Sequence, residues 1–310
     1  MRKLPKNHSS GQALLIILLV MAVVLTIGLS VVSRSVTDIN ISQQSEDSAR
    51  AFSAAEAGIE QALLLGTNGT LNLSTGTSVN VSTREVAYGD NWYIYPTQLS
   101  TDQVMTVWLS NYNNSSCPGE NYCGVSTGNN MRIYWGNPGT SSNNGNTPAM
   151  EVSIYYKDVT SYKVGKYALD PYANRILDPN NQGFCVPGGT LCSGVSNFTI
   201  VGGQEGDAVI GDPLQAFQFA ATLDLTGFIS QTLPIIKYPL FARLRLLYSA
   251  DAHYLGASLP TGTFPSQGIE ADALGTSGDA TSKVHAFRPN PAPPSIFDFA
   301  LYSGLGLNHD

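Results

Sequence analysis

The hydrophobic pattern of this chain begins with 20 uncharged and mostly apolar residues in succession, 13–32 (ALLIILLVMAVVLTIGLSVV). At roughly 1.5 Å per residue, a helix of this length covers the ~30 Å hydrocarbon core of a bilayer. Arg2, Lys3 and Lys6 precede the run without any acidic residue, and a basic flank favours retention in the cytoplasm. The pattern predicts a single-pass membrane helix with its N-terminus inside and residues 33–310 outside.

The helical period does not stop at residue 32. Residues 29–57 contain no proline and no glycine, and apolar residues recur mainly at three- and four-residue steps. Gly66, Asn68 and Gly69 are typical of a helix end. We therefore expect one helix over residues 12–66, on the order of 80 Å long. The apolar positions beyond residue 32 are Ile39, Ala49, Phe52, Ala55, Ile59, Ala62 and Leu63.

Three stretches of this region resemble the N-terminal region of type IV pilin-like proteins. They are the basic leader ending in Gly11, the apolar start GQALLIILLVMAVVLT, and the run ARAFSAAEAGIEQALL at residues 49–64. The likeness is greatest to minor pilins of the PilX and general secretion K type, in which an AFxAAEAGIxxA pattern follows the span.

The resemblance implies that residues 1–11 are a prepilin leader, which a prepilin peptidase removes between Gly11 and Gln12. It also implies methylation of the new N-terminus and assembly with other pilin subunits into a filament. The protein would then move from the cytoplasmic membrane to the cell surface or pilus. The helix positions implied in filament packing are Ile16, Gly28, Phe52, Glu56, Ile59 and Leu63. In addition, Ala54 and Gly58 form a patch of small residues that would allow close contact with another helix.

One position departs from the family pattern. The fifth residue counted from Gln12 is Ile16, where major pilins carry a glutamate, and the first acid of this chain is Asp38. A buried carboxylate is stable only beside an opposite charge, which in the family is thought to be the N-terminal amine of the adjoining subunit. A chain with Ile16 cannot form that pair, which favours a minor or tip subunit over the major repeating one.

Two other interpretations of the apolar run stay open. A single-span anchor that never assembles fits the length and the flanks equally well. A cleaved secretory signal fits less well, because its apolar region has about 7 to 15 residues and ends at a small-residue cleavage site.

The composition beyond the helix indicates an extracellular β structure. Charged residues are 13% of the chain, whereas glycine, asparagine, serine and threonine are abundant, which is typical of a turn-rich β head. We therefore expect an α+β, pilin-like fold: the long helix, a loop-rich β head over residues 67–205, and a C-terminal β-sheet region over residues 206–310. The net charge of -7 argues against nucleic acid as the main partner.

Cysteine usage agrees with an oxidising compartment. Cys117 and Cys123 flank turn-forming residues, as do Cys185 and Cys192. An even number in close local pairs predicts two disulfides. A four-thiolate zinc site is the alternative, but such sites prefer two to four residues between paired cysteines.

Strand-like composition recurs along the head. The segment 67–83 is a polar Asn/Ser/Thr stretch leading out of the helix. In residues 241–248 the alternation predicts Arg243, Arg245 and Tyr248 on a wet face, with Leu244 and Leu246 pointing inward. The predicted strands are residues 86–95, 104–109, 131–135, 151–156, 216–225, 241–248, 268–274 and 282–288, and the last two flank GTSGDAT as a hairpin.

Candidate chemistry is sparse, so we expect neither an enzyme nor a cofactor. The run 124–128 matches the GxSxG elbow at Ser126, but it lacks the strand–turn–helix setting that this motif needs. The histidines at 253, 285 and 309 have no metal-ligand spacing. Glu205, Asp207 and Asp212 lie in one glycine-rich segment, so a calcium site is the alternative to a solvated acidic turn there.

Overall fold

The computed structural model describes residues 10–66, 68–101, 103–111, 130–158, 161–172, 175, 184–185, 195–200, 209–232 and 235–295. Among these residues, one long helix precedes a body of mostly antiparallel strands, which confirms the α+β class. The helix α1 is Ser10–Leu65, and a 3-10 turn is Thr226–Phe228. The strands are β1 (Gly69–Ser74), β2 (Thr77–Glu85), β3 (Trp92–Ile94), β4 (Val104–Trp108), β5 (Asn130–Trp135), β6 (Ala149–Asp158), β7 (Ser161–Leu169), β8 (Phe184–Cys185), β9 (Val195–Ile200), β10 (Val209–Ile210), β11 (Gln215–Ala216), β12 (Phe219–Asp224), β13 (Ser230–Thr232), β14 (Ile235–Leu247), β15 (Leu255–Ser258), β16 (Gly268–Ser277) and β17 (Ala280–Pro289).

The chain divides into two compact units. The helix unit comprises Met1–Thr83 with Ala271–Ala286, and the sandwich unit comprises Arg84–Glu270 with Phe287–Asp310. The C-terminal hairpin thus returns to the N-terminal part of the chain. The predicted boundary between residues 205 and 206 lies outside the described residues.

The helix unit combines α1 with a four-stranded antiparallel sheet in the order β1-β2-β16-β17. The β16–β17 hairpin confirms the one predicted around GTSGDAT, and Gly278 supplies the positive φ of its turn (53°). Alternate residues of β2 and β16 are buried, because one face of the sheet packs on α1 and the other stays open to solvent.

Most of the polar stretch that leads out of the helix, 67–83, belongs to the hairpin β1–β2, which was not predicted. Leu71 pairs with Val79 across the hairpin, and Val79 and Val81 are buried against α1. The helix offers alanines at this contact, so a few apolar residues suffice to bury one face. The remaining threonines and asparagines lie on the wet face, which explains the polar composition.

The two larger sheets of the sandwich unit share one core, and β10 and β11 form a separate two-stranded sheet. The first sheet has the order β3-β15-β5-β12-β9, and the second has the order β13-β14-β6-β7-β8 with β4 also paired to β14. Ile133 and Phe219 from the first sheet join Ile154 and Leu244 from the second in a continuous buried cluster. This arrangement is a β-sandwich.

Most of the predicted strands are confirmed, two are shorter than predicted, and several further strands, among them β7, β9 and β15, were not predicted. The predicted strand over residues 86–95 shrinks to β3, because Ala87 (φ 58°) and Gly89 (φ 81°) interrupt it. Strand β7 was not expected, although it pairs with β6 along its whole length. The predicted strand 216–225 is observed as β12, which is shorter.

The predicted wet face of Arg243 and Arg245 is wrong. Both side chains are buried, since segments from elsewhere in the sandwich unit cover this part of β14. The Arg243 guanidinium lies 5.5 Å from the ring centres of both Tyr155 and Phe241, and it donates to the Pro293 carbonyl. An arginine can be buried in this way when rings and a carbonyl replace its hydration.

Candidate assembly interface on the N-terminal helix

The N-terminal half of α1 presents apolar side chains on every side. All side chains from residue 13 to residue 46 are exposed, and Ile16 keeps 60% of its surface accessible. By length and composition, α1 is the one helix in the described part of the chain that suits a membrane span. An apolar surface of this extent is unfavourable in water, so lipid or other protein must cover it.

Residues 13–32 of this half carry no charge. The first charged residues after the leader are Arg34 and Asp38, and both lie on exposed positions of α1. Contacts made by residues 13–32 therefore depend on shape and dispersion rather than on ion pairs, in lipid and in a protein assembly alike.

The C-terminal half of α1 differs because one side of it packs on the sheet of the helix unit. Small residues dominate this side, and they face short apolar side chains of β2 and β16. The buried helix residues are Ala51, Ala54, Ala55, Ile59 and Ala62, and their partners are Val79, Val81, Ala271 and Ala273.

Two glycines make this contact closer than alanine alone allows. A Cβ on Gly58 would stand 2.7 Å from Val79 Cγ2 and 2.9 Å from Val81 Cγ2, and a Cβ on Gly275 would collide with the backbone of Ala51. The pattern AFSAAEAGIE therefore has a structural reason within the helix unit. The small-residue patch of Ala54 and Gly58, expected to favour helix contact, lies against the unit's own sheet.

A polar group extends this contact towards the middle of α1. The Ser277 hydroxyl lies 3.4 Å from Asp47 Oδ1 and 3.3 Å from the Thr77 hydroxyl. Ser277 and Thr77 are both buried. Hydrogen bonds at this point satisfy buried hydroxyls and connect the helix to the β2 and β16 strands.

The opposite side of the C-terminal half is open and mainly polar. Glu46 and Arg50 form an exposed i,i+4 pair at 2.5 Å, and such pairs contribute little to stability. Phe52 is an apolar residue on this mainly polar side, and 47% of its large side chain is accessible. Glu56 is exposed one turn further along.

The structure divides the predicted packing residues into two groups. Ile16, Gly28, Phe52 and Glu56 lie on exposed surface. Ile59 is 7% exposed and Leu63 is half-buried, and both pack into the core of the helix unit. Gly11 and Gln12 lie within α1, which begins at Ser10. The side chain of Gln12 and residues 1–9 are outside the described part.

Several predicted features fall outside the described residues. These are Cys117, Cys123 and Cys192, the side chain of Cys185, the run around Ser126, and the acids Glu205 and Asp207. Asp212 is described and lies in the turn between β10 and β11. Within the described ranges, no group of three or more His, Cys, Asp or Glu residues is placed to hold a metal ion.

One serine–histidine contact lies in the sandwich unit. His253 Nε2 lies 2.9 Å from the Ser249 hydroxyl, and His253 Nδ1 accepts a hydrogen bond of 3.1 Å from the backbone N–H of Asn137. Because Nδ1 is an acceptor, the neutral ring carries its proton on Nε2 and donates to Ser249. This arrangement is the reverse of the one in which histidine withdraws a serine proton.

The chain matches no family model, no curated protein and no solved structure. The resemblance of residues 1–64 to type IV pilin-like proteins therefore stays a prediction from their sequence pattern. A long apolar N-terminal helix joined to a mostly antiparallel β body is the class of architecture that the fold defines.

Proposed function

We propose that this chain is a minor or tip subunit of a type IV pilus or of a secretion pseudopilus. A prepilin peptidase would cleave it between Gly11 and Gln12, and the β head would be displayed outside the cell. Adhesion or the priming of filament assembly would be its task. The membrane and other pilin subunits would be its partners, each contacted by α1.

The division of α1 into two halves is the observation that supports the proposal. The C-terminal half is joined to its own sheet through Ala51, Ala55 and Gly58, so α1 and this sheet form one packed unit. The N-terminal half keeps its whole apolar surface free. The same surface suits lipid before assembly and neighbouring helices after it.

Ile16 supports a position at the tip or at a low copy number. A subunit without a carboxylate at this position cannot form an ion pair with the N-terminal amine of an adjoining subunit. Such a helix contacts its neighbours only through dispersion forces. It therefore lacks the charge pair that would fix its position along each neighbouring helix.

The alternative is a single-span surface protein that never assembles. The mainly polar open side of residues 46–60 favours this alternative, since Phe52 is the large apolar side chain accessible there. Both candidates require the membrane span, but only the pilin-like candidate requires the junction at Gly11.

Mass spectrometry of the mature N-terminus tests the proposal. The full chain is expressed in cells that process another prepilin, and its mass is read from purified membranes. We expect a chain that starts at a methylated Gln12. A Gly11→Val variant should keep residues 1–11, whereas the matched Ser10→Val variant should be processed normally.

Retention of the leader in the unaltered chain, while the other prepilin is cleaved, would contradict the proposal and favour the surface anchor. Cleavage well after residue 32 would indicate a secretory signal instead.

A further inference from the structure

Lysines are concentrated on one part of the sandwich unit. Beyond α1 the chain has five lysines. Lys157 lies on β6, Lys163 and Lys166 lie on β7, and Lys237 lies on β14, which are three adjacent strands. The fifth, Lys283, lies on β17 in the helix unit. Lys163 and Lys237 lie at the opposite phase to Lys157 and stand beside Asp158, whose Oδ2 is 2.5 Å from the Lys163 ammonium. Lys157 and Lys166 are the two that share a face.

Two tyrosines flank the central lysine of these strands. Lys157 pairs with Tyr238 on one side and with Tyr162 on the other. Directly paired residues of antiparallel strands point to the same face, and neighbouring strands are about 5 Å apart, so the tyrosines are separated by about 10 Å. The ammonium of Lys157 lies 6.0 Å from the Tyr238 ring centre, and Tyr162 is 70% exposed.

The row Tyr238–Lys157–Tyr162 lies on the outer face of the sheet. Val152 and Ile154 of β6 point into the shared core. Successive side chains of a strand point to opposite faces, so Lys157, an odd number of residues away, points outward. The row therefore faces away from the core.

A second cation lies further along the same face. Lys166 is paired with Ser153, which is four residues before Lys157 on β6, so the two lysines are separated by about 14 Å along the strand. The ammonium of Lys166 lies 3.0 Å from Glu151 Oε1. Between the two lysines on β6, Tyr155 and Ser153 are buried together with Phe241 and Arg243 by residues 292 and 293. The open part of this face therefore runs along β7, where Lys166 and Glu151 stay partly exposed.

We infer that the open part of this outer face, from Tyr238 across Lys157 to Tyr162 and along β7 to Lys166, binds an acidic polysaccharide. The proposal deepens the proposed function, since it names the ligand class that a displayed head would contact. Tyrosine rings suit the C–H faces of sugars, the ammonium groups of Lys157 and Lys166 suit uronate carboxylates, and Glu151 accepts hydrogen bonds from sugar hydroxyls.

The spacing of the charges separates this ligand from a nucleic acid. A DNA strand carries one phosphate per about 3.4 Å of helix axis, and its binding requires a dense cationic surface. Here the cations are about 14 Å apart along the strand, and Glu151 lies beside one of them. A polymer with charge on some of its sugars and uncharged ring faces between them fits this arrangement better.

The experiment measures binding of the full-length chain, held in nanodiscs of zwitterionic lipid, to polygalacturonate, to uncharged dextran and to poly(dT). We expect binding to polygalacturonate that weakens with added salt, and no binding to dextran. Tyr162→Ala and Lys157→Ala should each weaken it by about five- to tenfold, because each removes one ring or one cation.

Matched controls come from the same chain. Tyr88 is 65% exposed elsewhere in the sandwich unit, so Tyr88→Ala removes a comparable ring, and Lys283→Ala removes the one lysine beyond α1 that lies outside the cluster. Neither should change the affinity.

The inference would be overturned by any of three results. These are an equal loss of affinity in the control variants, no binding to polygalacturonate, or tighter binding to poly(dT). Unfolded variants are identified by circular dichroism before binding is measured. Binding is read from processed and unprocessed chains alike, so a failure of leader cleavage, which would contradict the proposed function, leaves this test intact.

Discussion

Gly275 of β16 lies directly against the backbone of Ala51 in α1, so close that a Cβ at position 275 would collide with the Ala51 carbonyl oxygen and stand 2.8 Å from the Ala55 nitrogen. Neither neighbour can move as a flexible side chain would, because both atoms belong to the helix backbone. The short distance between the sheet and the helix therefore requires glycine at position 275. Any larger residue would force the helix and the sheet apart.

Replacement of Gly275 by alanine should weaken the helix unit strongly. The added methyl forces the sheet away from α1 and opens the contact of Ala51 and Ala55, at a cost of roughly 1 to 3 kcal/mol or more in the free energy of unfolding. Hydrogen exchange measures this directly, and amides of β2 and of residues 51–62 should exchange faster in the variant.

Gly28→Ala is the matched control, since no heavy atom lies within 4 Å of a Cβ at that position. Alanine there should leave exchange in the helix unit unchanged. Unchanged exchange in both variants would mean that the helix and its sheet are not packed as described.

Gln267 should tolerate neither a charge nor an apolar replacement. Its side chain is buried, accepts from the Trp108 N–H at 2.7 Å, and donates to the carbonyls of Trp108 (2.9 Å) and Pro265 (2.8 Å). Gln267→Glu places a carboxylate against two carbonyl oxygens, and Gln267→Leu removes the Gln267 hydrogen bond from each of three backbone groups. We expect about 2 to 4 kcal/mol of destabilisation for either.

Urea unfolding followed by tryptophan fluorescence measures this loss in the sandwich unit. Gln218→Glu is a useful comparison, because Gln218 accepts from the Gly139 N–H with its Oε1 and a carboxylate keeps that acceptor. We expect Gln218→Glu to lower the free energy of unfolding less than Gln267→Glu does. The reverse order would contradict the hydrogen bonds described for Gln267.

Stability of the sandwich unit should fall on mild acidification, with His253 contributing to the slope. Burial lowers the pKa of His253, and the charge of Asp251 opposes this only in part. Because the folded pKa is depressed, the unfolded chain binds the proton first, so stability is lost as the pH falls below about 6.5. The slope from one such group is at most about 1.4 kcal/mol per pH unit.

The variant His253→Gln cannot take up a proton and should show a shallower dependence between pH 7.5 and 5.5 in urea titrations. Its stability at pH 7.5 should be lower, because the hydrogen bonds to Asn137 and Ser249 are disturbed. An unchanged slope would show that His253 does not titrate differently in the two states.

The helix and the C-terminal hairpin were predictable because their signals are local. Residues 13–32 are apolar without interruption, and a turn around Gly278 joins two alternating strands. The hairpin β1–β2 was not predictable in this way. Its buried face needs only Leu71, Val79 and Val81, and their partners are alanines of the preceding helix.

The role of AFSAAEAGIE was only partly predictable. The pattern marks the right segment, but its small residues face β2 and β16 rather than another helix, which requires knowing that β16 returns to α1 from more than 200 residues away. The burial of Arg243 depends likewise on Pro293, and the row Tyr238–Lys157–Tyr162 depends on the register of three strands. Contacts of this kind leave no local pattern in the sequence.

Photo-crosslinking from the exposed side of α1 tests the central claim most directly. A benzoylphenylalanine is placed at Ile16 or at Phe52, and at Tyr88 as a control for general exposure, in cells that assemble type IV filaments. The account predicts that Ile16 and Phe52 crosslink to another pilin-like subunit in the sheared filament fraction, and that the crosslinks disappear when assembly is blocked. Crosslinks from Ile16 to lipid alone, with the chain absent from the filaments, would contradict it.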